Sequence, residues 1–384
     1  MRCKVIVAVF IACIAVMLSV CMCGRDKPEV VPVLRIGHVG HDHHTALYVA
    51  ALNSPMFKED YGLYLEEKRP GELYDMFDGG KRVAELELIR VKGGSAMPTA
   101  MAQGQFDIGF GGLAALAFFV DKGTSMKIIS PLHSKGDMLV VGNNISAQNW
   151  QDFVQQAKRS ERPLKMGFKA PKAIALLIFE SAMREEGISF TYNANDTEAN
   201  VILIDMKGAG KLNPGLGNSI IDGYVCNNPY CALAEEKGVG RCIADLNDLP
   251  PGLWRDHPCC VIGAMENVLS EKRGAVVTFL ELITIATDYM NSNPRIAVES
   301  ASKWIGTSIE VEEKSIPTSA YLTEPNQQWL NGACVWVKTM DELGHINGRL
   351  SGKTDEGILS ELLDLTLLKE ARDNVEKRKS ASAI

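Results

Sequence analysis

Residues 93–112 read GGSAMPTAMAQGQFDIGFGG, and the order of elements in this stretch settles the fold class. A glycine pair precedes Ser95, a hydroxyl suited to capping a helix start. Pro98 to Gln103 then reads as a short helix, and Gly104 stops it. Phe106 to Phe110 is a short apolar run of strand length, a second glycine pair follows at Gly111-Gly112, and Leu113 to Val120 is again helical. Helix, strand, glycine loop and helix in close succession is the rhythm of an α/β sheet covered on both faces.

The same rhythm extends in both directions. Upstream, Val33 to Val39 is a strand, Gly40 to Thr45 a loop, and His44 to Lys58 a helix with apolar spacing at Leu47, Ala50 and Ala51. Leu86 to Val91 is a second strand. Downstream, Lys127 to Ser130 and Met138 to Val141 are strands. A second block begins with a helix over Asn149 to Lys158, whose opening Asn149-Trp150-Gln151-Asp152 is a capping box with Asp in the acceptor place. Lys165 to Phe168, Val201 to Asp205, Gly223 to Val225 and Cys242 to Leu246 are its strands. Helices over Ala173 to Glu186 and Pro229 to Lys237 each end on a glycine, Gly187 and Gly238. Cys259 to Ala264 reads as the strand that returns the chain to the first block. Helices at Glu271 to Tyr289, Ile296 to Ile305, Gln327 to Leu343 and Gly357 to Lys377 complete it.

A chain of 384 residues with 46% hydrophobic and 23% charged residues has enough apolar surface for two cores. The formal charge is −7 and no basic stripe is present, so nucleic acid is not an expected partner. Arg2 and Lys4 precede an apolar run from Val5 to Val20, and polar sequence resumes at Arg25. That layout is a secretory leader, and the run falls short of the roughly 20 residues that a spanning helix needs. Cys21 stands where a lipoprotein leader places its acylated cysteine, although Val20 before it is larger than the usual small residue. Lipid anchoring at Cys21 is favoured over an uncleaved helical anchor or simple cleavage. Removing residues 1–20 takes away two basic residues and leaves a formal charge of −9.

The expected organisation is a signal peptide over 1–20 and a tether over 21–32. A first lobe spans 33–141, a second lobe 142–256 and a return to the first lobe 257–345, with a C-terminal helix and tail over 346–384. Ligands of open α/β sheets lie beyond the carboxyl ends of the strands, which makes the loops there the candidate site. The first is Gly40, His41, Asp42, His43 and His44, at a helix start where backbone N–H groups favour an anion. Gly94, Ser95 and Met97 form the second, and Gly111, Gly112 and Leu113 the third. The second lobe offers Lys169 and Pro171, then Asn227, Asn228 and Tyr230. A loop histidine or Lys169 is also compatible with a solvated surface, and Ser95 with a simple cap. Asp222 and His257 are lobe-closing or surface groups near the crossovers.

Six cysteines follow the leader: Cys226, Cys231, Cys242, Cys259, Cys260 and Cys334. Disulfides and free buried thiols are equally compatible with that count, since a body of this size folds without bridges. Their spacing matches no zinc motif, and adjacent Cys259-Cys260 do not readily bridge. No phosphate loop, dinucleotide fingerprint or nucleophile elbow is present. Cys259 with His257 lacks a third, orienting group. No catalytic residue, metal-ligand set or cofactor is therefore expected.

Several stretches resemble the periplasmic substrate-binding proteins of ABC importers in the nitrate, sulfonate and taurine group, which includes binders of thiamine pyrimidine precursors. They are LRIGHVGHDHHTALYVAA at 34–51, GGSAMPTAMAQGQFDIGFGG at 93–112, DKG at 121–123 with KII at 127–129, KMGFKAPKAIALLIFE at 165–180, IDGYVCNNPY at 221–230 and AEEKGVG at 234–240. Order and spacing agree over most of residues 33–345, and the GQFDIG element at 104–109 is the most specific. The resemblance implies the type II periplasmic binding fold, two α/β lobes around a cleft with two crossover strands and a helical C-terminus. It also implies capture of a small molecule, delivery to a permease with separate ATPase subunits, and a monomeric, non-enzymatic protein held outside the cytoplasm, in the periplasm or on the outer face of the membrane. The alternative is an enzyme, such as a precursor-synthase relative, on the same fold; a signalling receptor domain using the same cleft is less expected, since no downstream span or output domain is read. An organic anion or sulfonate is the favoured ligand, then a heterocycle, then a metal or metal chelate suggested by His41, His43, His44 and the cysteines. Three departures stand out: a long connection over 69–85, a His-rich first loop, and no arginine in any ligand loop.

Overall fold

Alternating apolar residues at Leu34 and Ile36 fix strand β1 (Val33–His38), whose inward side chains are wholly buried. It lies within a larger sheet, in a computed structural model that describes residues 31–91, 93 and 97–382. The leader, Cys21, most of the tether, Gly94 and Ser95 lie outside the described residues. The remaining strands in chain order are β2 (Leu63–Arg69), β3 (Leu73–Asp78), β4 (Lys81–Arg90), β5 (Ile108–Gly112), β6 (Met126–Pro131), β7 (His133–Lys135) and β8 (Asp137–Gly142). They continue with β9 (Leu164–Phe168), β10 (Phe190–Thr191), β11 (Val201–Asp205), β12 (Gly223–Asn227), β13 (Gly240–Asp245), β14 (Cys260–Met265) and β15 (Ser319–Tyr321).

Two mixed sheets result, in the orders β2-β3-β4-β1-β5-β14-β6 and β10-β11-β9-β12-β8-β13. Each is parallel at its centre and carries one strand that arrives from the other sheet and runs against its neighbours. In the first sheet that strand is β14, antiparallel to β5 and β6. In the second it is β8, antiparallel to β12 and β13. Asp137–Gly142, which the sequence rhythm groups with the first block, therefore pairs in the second sheet. This exchange of strands is the type II periplasmic binding fold, and it places both crossings between the sheets.

The long connection before the second expected strand is not a loop. It forms β2, β3 and the start of β4, an antiparallel meander on the edge of the first sheet. Asp78-Gly79-Gly80-Lys81 makes its turn, with both glycines at positive φ (56° and 81°), the backbone that two-residue hairpins require. The exposed end of β2 carries Glu66, Glu67, Lys68 and Arg69, charges that discourage pairing with another sheet.

The helices follow their caps. Asn149 Oδ1 accepts the Asp152 N–H at 2.9 Å, and Asp152 Oδ2 accepts the Gln148 N–H at 3.0 Å, one residue earlier than in a standard capping box. Gly187 and Gly238 end their helices at positive φ, as read from the sequence. The expected helix over 44–58 breaks at Asn53 into Thr45–Leu52 and Ser54–Tyr61. Pro55, in the first turn of the second piece, has no N–H to continue the first. The C-terminal helix divides likewise into Asp355–Leu362 and Thr366–Ser382.

Candidate functional site

The polar residues that gather between the sheets come from four segments. His41 opens a single 3-10 turn over Asp42–His44, just beyond β1, and its Nδ1 accepts the His43 N–H at 3.2 Å. His44 turns back, so that its Nδ1 accepts the Val39 N–H at 3.0 Å. His133 starts β7 on the outward crossing, and Asp137 starts β8. Cys259 and Cys260 lie where the chain returns, with Cys260 paired to Gly112 across the first sheet. All of these side chains are buried.

Most of them line a cavity of about 30 Å³, where His41, His43, His44, Asp137, Cys259 and Cys260 are joined by Gly111, Gly112, Ala115, Lys169 and Lys172. The imidazoles crowd together, His43 lying 3.9 Å from His133 and 5.1 Å from His41 between ring centroids. His43 Nδ1 stands 3.5 Å from the Cys259 sulfur and 3.6 Å from that of Cys260, while its Nε2 reaches the Gly136 carbonyl at 3.4 Å. The Cys259 thiol donates to Asp137 Oδ2 at 3.3 Å, and His257 Nε2 lies 3.7 Å from the same oxygen.

Burial dominates the electrostatics. It lowers His43 to about 4, helped by neighbouring His133, and it lowers His41 and His44 as well. These rings are neutral at pH 7 and offer lone pairs. Burial would raise the Asp137 carboxyl, but His257, His43 and Lys169 beside it outweigh that and hold it below its usual range. Of the adjacent thiols, burial pushes Cys259 up, while the neighbouring Cys259, His133, His43 and His44 side chains pull Cys260 down against burial.

Of the residues singled out from the sequence, His41, His43, His44, Gly111, Gly112 and Lys169 line this cavity. Gly40 sits behind them against the Arg90 guanidinium. Asp42 points away, hydrogen-bonded by Ser315, and its backbone carbonyl accepts from Tyr321 Oη at 2.9 Å. Met97 packs under β1 and β5 against Gly37 and Gly109, and Leu113 is core. Pro171 is exposed. Asn227 holds Lys169, Asn228 donates to Thr318 Oγ1 at 3.0 Å, and the Tyr230 carbonyl accepts from Asn213, so these three support the rim rather than line the cavity. His133, Asp137, Cys259 and Cys260 were not among the expected ligand residues. All six cysteines outside the leader are unpaired thiols.

The return segment is braced from behind. Trp336 Nε1 donates to the Pro258 carbonyl at 2.8 Å, and its ring lies 4.4 Å from that of Trp254. A Trp336→Phe variant keeps most of the packing but leaves that buried carbonyl without its donor. It is expected to lose about 1–2 kcal/mol in urea unfolding; an unchanged midpoint would show that the bond braces nothing.

A profile of the NMT1-like family matches residues 26–306. An uncharacterised protein of Methanocaldococcus jannaschii is 34% identical over 114 residues, which is 29% of this chain and 79% of that protein. Among solved structures, the chain is similar to a ligand-binding component of an ABC-type import system from Staphylococcus aureus with zinc bound, at a TM-score of 0.67 and 16% identity over 88% of this chain and 99% of that one. It is similar also to the periplasmic nitrate-binding protein of Synechocystis PCC 6803, with a TM-score of 0.68 and 13% identity over 90% of each chain. The periplasmic aliphatic sulphonate-binding protein of Escherichia coli gives a TM-score of 0.58 and 14% identity over 82% of this chain and 92% of that one. At these identities the likeness is one of fold.

Proposed function

Because this chain belongs to the NMT1-like family, we propose that it is the extracytoplasmic solute-binding component of an ABC importer, a monomer tethered through an acylated Cys21. In this role it captures a small molecule between its lobes and passes it to a permease served by separate ATPase subunits. The observation that carries the reading is the cavity itself. Loops at the strand ends of one sheet, β8 and the loop after β9 of the other, and the return crossing converge on one buried polar space. Binding proteins of this fold open and close on ligand by hinge motion.

The lining bears on the ligand. Arg35 is engaged with Asp107 at 3.1 Å, and Arg90 lies behind Gly40. No arginine is among the described residues lining the cavity, whereas Lys169 and Lys172 are. A small organic anion whose head group meets these lysines is the ligand class proposed, without the bidentate grip that a guanidinium gives to a sulfonate or nitrate. Binding without turnover is the corresponding expectation. A thermal-shift panel of small carboxylates, sulfonates, heterocycles and metal salts tests this. One class should raise Tm by several degrees and be recovered unaltered by mass spectrometry. No stabilising compound, or a chemically altered one, would remove the reading.

A further inference from the structure

His43, His133, Cys259 and Cys260 each offer one donor atom, all four donors lie within 4.8 Å of one another, and all four residues are buried. We propose that these residues form a tetrahedral Cys2His2 centre for one divalent transition cation of the zinc type, at the floor of the cleft. Bond lengths of about 2.3 Å to sulfur and 2.0–2.1 Å to nitrogen at tetrahedral angles put neighbouring N and S ligands about 3.5 Å apart. The two His43 Nδ1 to sulfur separations are 3.5 and 3.6 Å.

The surroundings agree. His43 directs Nε2 at the Gly136 carbonyl, 3.4 Å away, which fixes Nδ1 as the lone-pair nitrogen facing both sulfurs. His133 lies with Nδ1 3.3 Å from the Ser134 carbonyl, leaving Nε2 as its acceptor. That atom now meets the Cys260 N–H at 3.2 Å, a contact that the cation would take over. The Cys259 thiol donates to Asp137 Oδ2, and binding the cation as thiolate releases that proton. His44 Nε2, buried on the cavity wall, has no hydrogen-bond partner. Two thiol sulfurs with two imidazoles select borderline cations over magnesium or calcium. The donors come from the first loop and from both crossings, so the cation ties together the segments that join the sheets.

The test is an anaerobic titration of the purified, chelator-treated full chain with Co2+. The expected result is one Co2+ per chain, with the thiolate charge-transfer band and intense d–d bands of a tetrahedral site, displaced by Zn2+. Cys259→Ser and Cys260→Ser should each halve the charge-transfer band, and His133→Ala should weaken binding at least tenfold. Where a variant does not fold, bound Zn2+ on the unaltered chain should protect Cys259 and Cys260 from alkylation while Cys242, half-exposed, still reacts. Absence of the thiolate band, a band undiminished in both serine variants, or alkylation of the pair unaffected by Zn2+ would each overturn the centre. A chain that takes Co2+ in this way but binds no solute keeps the centre and loses the transport reading. One that binds an organic solute and no Co2+ does the reverse.

Discussion

A His38→Leu variant is expected to lose about 2–3 kcal/mol less stability than the unaltered protein when pH falls from about 7 to about 4.5. His38 ends β1 with only 2% of its surface exposed. Its ring is wedged edge-on between Tyr48 and Trp304, at centroid distances of 6.3 and 6.0 Å, and its Nδ1 has no partner. Burial, then the nearby charges of His44 and Arg90, lower it to about 3 from an ordinary 6.5. The sign follows from proton counts. Below 6.5 the unfolded chain binds a proton at this position that the folded chain refuses, so stability is full above 6.5 and drains as pH falls toward 3. Each pH unit in that window is worth about 1.4 kcal/mol. Leucine fills a similar volume and does not titrate. Acid-sensitive carboxylates such as Asp107 and Asp222, both held low by their arginine partners against the opposing effect of burial, remain in both proteins and cancel in the comparison. Urea midpoints at the two pH values decide the matter, and equal pH dependence in the two proteins would mean that His38 is solvated in the folded state.

The first loop and the alternation of strands and helices were legible because both are local. Val201–Asp205 is read with the same bounds from sequence and structure, since four apolar residues, Val201 to Ile204, run from Asn200 to Asp205. The part of the meander over 63–85 was not read, because its side chains alternate only partly and Glu and Lys dilute the signal. Its turn at Gly79-Gly80 was the cue. The membership of β8 in the second sheet depends on pairing with β12 and β13, some 80–100 residues later, and no periodicity encodes that. The site divides in the same way. His41, His43 and His44 follow a strand and announce themselves, whereas His133 and Cys259-Cys260 sit at the two crossings and meet the first loop only through the register of β14 against β5. Their signal lay in position: HSKGD at 133–137 and HPCC at 257–260 bracket the second block, each just where the chain changes sheets.

That junction makes Gly136 a position where a single branched side chain does great damage. Gly136 has φ of 91°, in the left-handed region that branched side chains avoid. A Cβ built there meets the Ser319 hydroxyl and lies 2.6 Å from His43 Nε2. Its carbonyl also receives the Asn228 N–H at 3.1 Å, so the peptide has little freedom to turn away. A Gly136→Val variant therefore adds about 1–2 kcal/mol of backbone strain to about 1–3 kcal/mol of overpacking. The expected sum is about 2–5 kcal/mol in urea unfolding. The Ser319 hydroxyl can rotate aside, but the His43 ring must swing from Gly136 and away from the two sulfurs. Co2+ affinity is then expected to fall at least tenfold even where the folded protein is recovered. Gly136→Val with unaltered Co2+ binding would mean that His43 is not held by this carbonyl. Loss of stability with a retained charge-transfer band but weakened affinity would leave the cysteines as ligands and locate the defect at His43.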